Sequence, residues 1–249
     1  MKKPLRAYTI QKSDETEVIK NELIKPDLIV KSFIPEIDTL LGGFKAGEMT
    51  FINGYSNLVL DIPSQLCVNT YRTFQNDVVY IDGGMHADPY RIAQYARMME
   101  IDQKEILNHI HISRAFTVYQ LSSIIHEMLE KLIMKCKPKT LIIGMLPALY
   151  LDPDVSYSEA QILLKENLAK IKELTKKYDL ITIFTNHDKT LMESHRNLRD
   201  IIYKDANEIV RMRQLEQCIH VNLVKKQIGT TIVRFAKGQL RLEDFGLEL

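Results

Sequence analysis

Between residues 50 and 185 the chain alternates short apolar runs with longer stretches of helical period, and few folds accommodate that rhythm. The runs Thr50–Asn53, Val78–Asp82, Ile110–Ser113, Thr140–Gly144 and Leu180–Thr185 have the length and composition of strands. Between them, about Ser64–Phe74, Pro89–Glu100, Val118–Lys135 and Ser158–Tyr178 read as helices. Two of these starts are well marked, because Thr117-x-x-Gln120 and Ser156-x-x-Glu159 each fit a capping box ahead of an apolar period. Strict alternation of this kind predicts an α/β fold with a mainly parallel central sheet flanked by helices.

The rhythm changes after Asn186. A polar connecting region, His187 to Asp205, leads into three short β-like runs, Glu208–Met212, Ile219–Val224 and Thr230–Phe235, the last two joined around Lys225-Lys-Gln-Ile-Gly229. Closely spaced strands with a Gly-containing turn predict antiparallel strands added at the carboxy-terminal edge of the sheet. The other end is polar: residues 1–32 read as an arm or lead-in helix, and 33–249 as one core domain of ordinary size.

A formal charge of +1 excludes a broad basic surface, so any nucleic-acid contact must come from local patches. Cys67, Cys136 and Cys218 are odd in number, far apart and form no C-x-x-C pair, which fits thiols in a reducing compartment. No segment approaches the length of a membrane span, so the expected location is cytoplasmic, with no membrane partner.

The first strand and helix frame the segment Met49-Thr-Phe-Ile-Asn-Gly54, then Tyr55 to Ser64. A phosphate-binding loop here would follow G-x-x-x-x-G-K-[ST]: glycines let the backbone wrap phosphate, Lys meets its charge and the hydroxyl holds Mg²⁺. Counting from Gly54 puts Val59, Leu60 and Asp61 in the last three places. Counting back from Gln65 puts Ile62, Pro63 and Ser64 there. Neither register supplies the Gly-Lys pair, and only the second keeps a hydroxyl.

The order of features resembles the ATPase core of the RecA/RadA recombinase family, with the nearest likeness to archaeal RadA and its paralogues. The likeness rests on Ile37-Asp-Thr-Leu-Leu-Gly-Gly43, Ala46-Gly-Glu-Met-Thr50, Val79-Tyr-Ile-Asp82, Ile106-Leu-Asn-His-Ile110, Ser113-Arg-Ala-Phe116, Leu141-Ile-Ile143 and Thr185-Asn186, and spans about residues 33 to 245. It implies a RecA-like core. It also marks what is missing. Where the family has a catalytic carboxylate after the strand ending at Asp82, this chain has Gly83-Gly84, and where the family's metal-side Asp would end the next motif, Leu141-Ile-Ile-Gly144 ends in Gly. Gly54, Ser64, Asp82 and Asn186 are what remains of the implied nucleotide site. No catalytic residue, metal site or cofactor is expected.

Several charged or ligating residues have a bland reading beside a functional one. His109-Ile-His111 sets two imidazoles on one strand face, compatible with a metal but without a third ligand close in sequence. The segment Gln217–Arg241 holds Lys225, Lys226, Arg234, Lys237 and Arg241 and no Asp or Glu. These cations suit either single-stranded DNA or the protection of an exposed sheet edge. Arg196 and Arg199 lie where the family has a DNA-binding loop, interspersed with carboxylates. The expectation is a non-catalytic RadA-like paralogue, which pairs with a RadA-type recombinase or another paralogue, contacts single-stranded DNA weakly and forms a possible homo-oligomer. The alternative is a KaiC-like regulatory interaction protein with no DNA role, or a nucleotide enzyme rebuilt around Asp61, Ser64, Asp82 and Asp152.

Overall fold

All five strands expected between residues 50 and 185 form: β3 (Met49–Tyr55), β4 (Val78–Asp82), β5 (Ile110–Arg114), β6 (Thr140–Gly144) and β7 (Ile181–Asn186). The computed structural model describes residues 28–187, 195–216 and 218–233. Within them β8 (Glu208–Gln214), β9 (Cys218–Leu223) and β10 (Ile228–Val233) complete one sheet in the order β10-β9-β8-β3-β7-β6-β4-β5. Strands β8 through β5 in that order are parallel, and β9 and β10 add antiparallel at the edge.

The expected antiparallel edge is thus one strand narrower than the sequence implied, since β8 pairs parallel with β3. A parallel neighbour needs a crossover. Helix α8 (Arg196–Asp205), inside the stretch read as a polar connection, supplies one, with Leu198 and Ile202 buried beneath its charged exterior. The core also begins earlier than residue 33. Strand β1 (Ile29–Val30) pairs with β2 (Phe44–Lys45), and Val30 and Ser32 are buried. Residues 1–27 of the expected arm lie outside the described residues.

Side chains alternate across each strand, so the sheet feeds two cores. Ile52, Val78, Tyr80, Ile142 and Ile183 face one core with helices α1 (Pro35–Leu41), α2 (Asn57–Phe74), α3 (Pro89–Met98) and α4 (Gln103–Asn108). Phe51, Val79, Ile81, Ile143 and Phe184 face the other, under α8, α7 (Tyr157–Lys177) and the helical run formed by α5 (Val118–Ser123), a π turn at Ile124–Met128 and α6 (Leu129–Cys136). Both capping residues act as read: Thr117 Oγ1 accepts from the Gln120 N–H, and Ser156 Oγ from that of Glu159.

Helix α2 departs most from expectation, starting at Asn57 rather than near Ser64. Pro63 would be a natural first-turn residue. Here it sits inside the helix, and the lost backbone bond is offset by burial of Leu58, Val59 and Ile62 against the sheet.

Candidate functional site

In open α/β sheets, ligands are received outside the carboxyl ends of the parallel strands. At β3 that position is occupied by the protein's own helix. One residue, Ser56, separates β3 from α2; its hydroxyl oxygen accepts from the Leu58 N–H at 3.3 Å, and its hydroxyl donates to Gln214 at 3.3 Å. A phosphate cradle needs a looped run of N–H groups turned toward the ligand. Residues 57–64 are instead wound into α2. Ser64 is buried in that helix, and Val59 and Ile62 fill the interior, joined by Leu58 while Leu60 stays half-exposed.

Gly54 survives for a packing reason. It has φ of 152°, and a Cβ there would lie 1.9 Å from the carbonyl oxygen of Met212 on β8. The two backbones touch where a longer loop would otherwise have room to open.

The remaining polar groups bond within the protein. The Asp82 carboxylate, fully buried, accepts the N–H groups of Gly84 (3.2 Å), His86 (3.1 Å) and Ala87 (2.9 Å), and Arg114 approaches it at 3.7 Å. Asn186 Nδ2 donates to Asn53 Oδ1 at 2.9 Å, directly across the β3–β7 register. At Gly144 a Cβ would stand 2.9 Å from the Tyr80 ring, so the aromatic side chain takes the space a carboxylate would need. Met145 lies beside this end: a Cβ at Gly84 would stand 2.4 Å from its Cγ, its Sδ accepts the His187 N–H, and its own N–H donates to the Thr185 hydroxyl oxygen. Tyr55 stacks on His187 with ring centroids 4.9 Å apart.

The other nominated groups are also engaged. Asp61 pairs with Arg91, and Asp152 accepts the Asp154 N–H. Burial, with Asp82 and Cys67 nearby, pushes the Tyr80 hydroxyl far above its ordinary range, and burial does the same to the Cys67 thiol. Both are held neutral and unsuited to proton transfer.

Two of the cations assigned to nucleic acid, Lys226 and Arg199, have carboxylate partners. Lys225 donates to the Ala206 carbonyl, Lys226 lies 3.1 Å from the buried Glu208 carboxylate, and Arg199 binds Asp200 at 2.8 Å and lies over the Tyr203 ring. Arg196 is exposed at the start of α8. Arg234, Lys237 and Arg241 lie outside the described residues. Two arginines the sequence reading passed over, Arg211 and Arg213, share one face of β8. With Leu215, His220 and Asn222 they line an open cavity of about 370 Å³.

The carboxyl edge also carries a rim of large exposed apolar groups. Met85 (65% exposed) and Tyr90 (87%) follow β4, while Phe116 and Tyr119 follow β5. At the opposite end of the sheet, His109 and His111 both bind one carboxylate, that of Asp77.

A model of the Rad51 family matches residues 29–208. No curated protein matches the chain. No helix among the described residues is long and apolar enough to cross a membrane.

If Asp82 is a scaffold rather than a waiting ligand, Asp82→Ala orphans three buried or part-buried N–H groups. The expected cost is about 3 kcal/mol, read as a lower urea midpoint. A variant as stable as the parent would leave that carboxylate without a structural purpose.

Proposed function

The chain belongs to the Rad51 family, which relates it to recombination and repair, and we propose that it is a non-catalytic member acting by binding. One observation carries this: helix α2 begins one residue after β3, so the turns of Leu58–Ile62 stand where a phosphate cradle would be. Tyr80 against Gly144 and the Asp82 loop support the same reading, because each removes room or charge from metal and water. Nucleotide loses its electrostatic partners together with its space.

What the fold keeps is surface. The aromatic rim of Tyr90, Phe116 and Tyr119 has the composition of a protein interface, rich in rigid aromatics. We assign it to a RadA-type recombinase or another paralogue. The arginine-lined cavity on β8 favours a second, weaker contact with single-stranded DNA, carried by the exposed Arg213 beside a half-buried Arg211 that also donates to the Tyr203 hydroxyl.

Calorimetry with ATP and Mg²⁺ tests the closed crevice. The expected affinity is no tighter than about 1 mM, near 4 kcal/mol, and Val59→Gly with Leu60→Lys leaves it unchanged. Metal-dependent turnover that vanishes in Asp82→Ala would overturn the reading.

For the rim, Tyr90→Ser combined with Phe116→Ser is expected to shift stability by no more than about 0.5 kcal/mol per site while weakening recombinase binding at least about tenfold. Unchanged affinity in a titration against the purified recombinase removes the rim from the interface.

DNA contact is read from salt dependence. Arg211→Gln with Arg213→Gln should flatten the slope of log affinity on log salt by about 1.4 in fluorescence anisotropy with a single-stranded oligonucleotide, whereas Lys225→Gln leaves it alone. A parent protein with no salt-dependent binding points to a purely protein-binding regulator.

A further inference from the structure

The two histidines at the amino end of the sheet acquire in space the partners they lack in sequence. Asp77 leads into β4, His109 closes α4, His111 lies on β5 and Cys136 ends α6. Asp77 Oδ2 is 2.6 Å from His111 Nε2, and Asp77 Oδ1 is 2.7 Å from His109 Nδ1. The ligating atoms of Asp77, His111 and Cys136 all lie within 4.8 Å of one another. We propose that Asp77, His111 and Cys136 form a binding site for a divalent metal ion of the zinc class, with His109 as its outer-shell support.

The donor set fits that chemistry. Zinc takes thiolate, imidazole and carboxylate together, and three protein ligands leave a fourth position for water. Asp77 and a Cys136 thiolate bring two negative charges to a 2+ ion. His109 meets the usual outer-shell requirement, since its ring nitrogen holds the carboxylate oxygen that His111 does not. Its own ring is steadied by Tyr71, with centroids 4.8 Å apart.

The backbone fixes the spacing. The Val78 N–H donates to the His109 carbonyl at 2.9 Å, and the Lys139 N–H donates to the Asp77 carbonyl at 3.0 Å. These two bonds tie the β5 and α6 sides of the cluster to β4. The side chains retain room to adjust: His111 is 34% exposed and Asp77 19%. Tetrahedral zinc with bonds near 2.0–2.1 Å sets its ligands about 3.3 Å apart, so the Asp77–His111 pair opens by roughly 0.7 Å on loading. A bound ion would then clamp the edge strand β5, its neighbour β4 and the end of α6. That role is independent of the closed crevice at the other end of the sheet.

The test uses full-length protein stripped with a chelator. It is expected to bind one equivalent of Zn²⁺, and the Co²⁺ form to show a thiolate-to-cobalt charge-transfer band in the near ultraviolet. Cys136→Ser abolishes the band, His111→Ala weakens Zn²⁺ binding by more than tenfold, and His109→Ala weakens it by about tenfold. Cys218→Ser preserves both. A measurement on the parent chain guards against misfolded variants: Zn²⁺ should slow alkylation of Cys136, mapped by peptide mass spectrometry. Absence of the cobalt band, no protection of Cys136, or equal Zn²⁺ affinity in folded Cys136→Ser and His111→Ala proteins would reduce the cluster to a hydrogen-bonded Asp–His group and overturn the proposal.

Discussion

The contact between Gly54 on β3 and the backbone of Met212 on β8 governs the carboxyl end of this sheet. A carbonyl oxygen occupies the place of a Cβ at residue 54, so β3 must run flush against β8 to its last residue. The chain has no slack with which to make a loop. It enters α2 through Ser56 alone, and the first turns of that helix are drawn onto the sheet by Leu58, Val59 and Ile62. Burying three such side chains contributes several kcal/mol, at roughly 1.5–3 kcal/mol each, which exceeds the penalty of about 3 kcal/mol for carrying Pro63 inside the helix.

Once that helix is seated, the neighbouring positions follow from crowding and from the demand that buried polar groups be paired. Tyr80 faces the same core as α2 and spreads over Gly144, where any side chain would collide with its ring. Asp82 and Asn186 are fully buried, and they are answered from within the protein by backbone N–H groups and by Asn53. An unpaired buried carboxylate would be far more costly than this arrangement. The residues that look like remnants of a binding site are therefore also structural ones, each tied to neighbouring backbone or side chains.

Much of the architecture was legible because periodicity is local. The strands from β3 to β7 and both helix N-caps, Thr117 and Ser156, are carried by neighbouring residues, and they form where the pattern puts them. The misreadings share one physical origin, which is that pairing across space leaves no trace in a short window. The start of α2 at Asn57 instead of near Ser64 depends on burial against β3, β4, β6 and β7, which no short window shows. Lys226 seems uncompensated within its own segment, yet Glu208 lies beside it across the sheet. The amphipathic face of α8 was obscured by its charged exterior, and with it the crossover that makes β8 parallel. The crevice itself was half legible: the sequence lacks the Gly-Lys pair, and in the structure α2 begins at Asn57, with only Ser56 between it and β3.

The same reasoning separates the two ends of the sheet. At the carboxyl end, strand register and helix burial bring apolar groups together, and the polar side chains there are pinned by backbone donors. At the amino end, the ladder that aligns Val78 with Ile110 and Thr140 brings the residues flanking those strands together: Asp77, the two histidines and Cys136. These groups stay partly exposed; Asp77 holds the two histidines while the Cys136 thiol donates to the Leu132 carbonyl at 3.1 Å, a bond it would exchange for the ion. On the function proposed above, packing closes the crevice at one end of the sheet, and adaptable ligand chemistry is kept where side chains are partly exposed. In this chain that place lies across the sheet from the crevice.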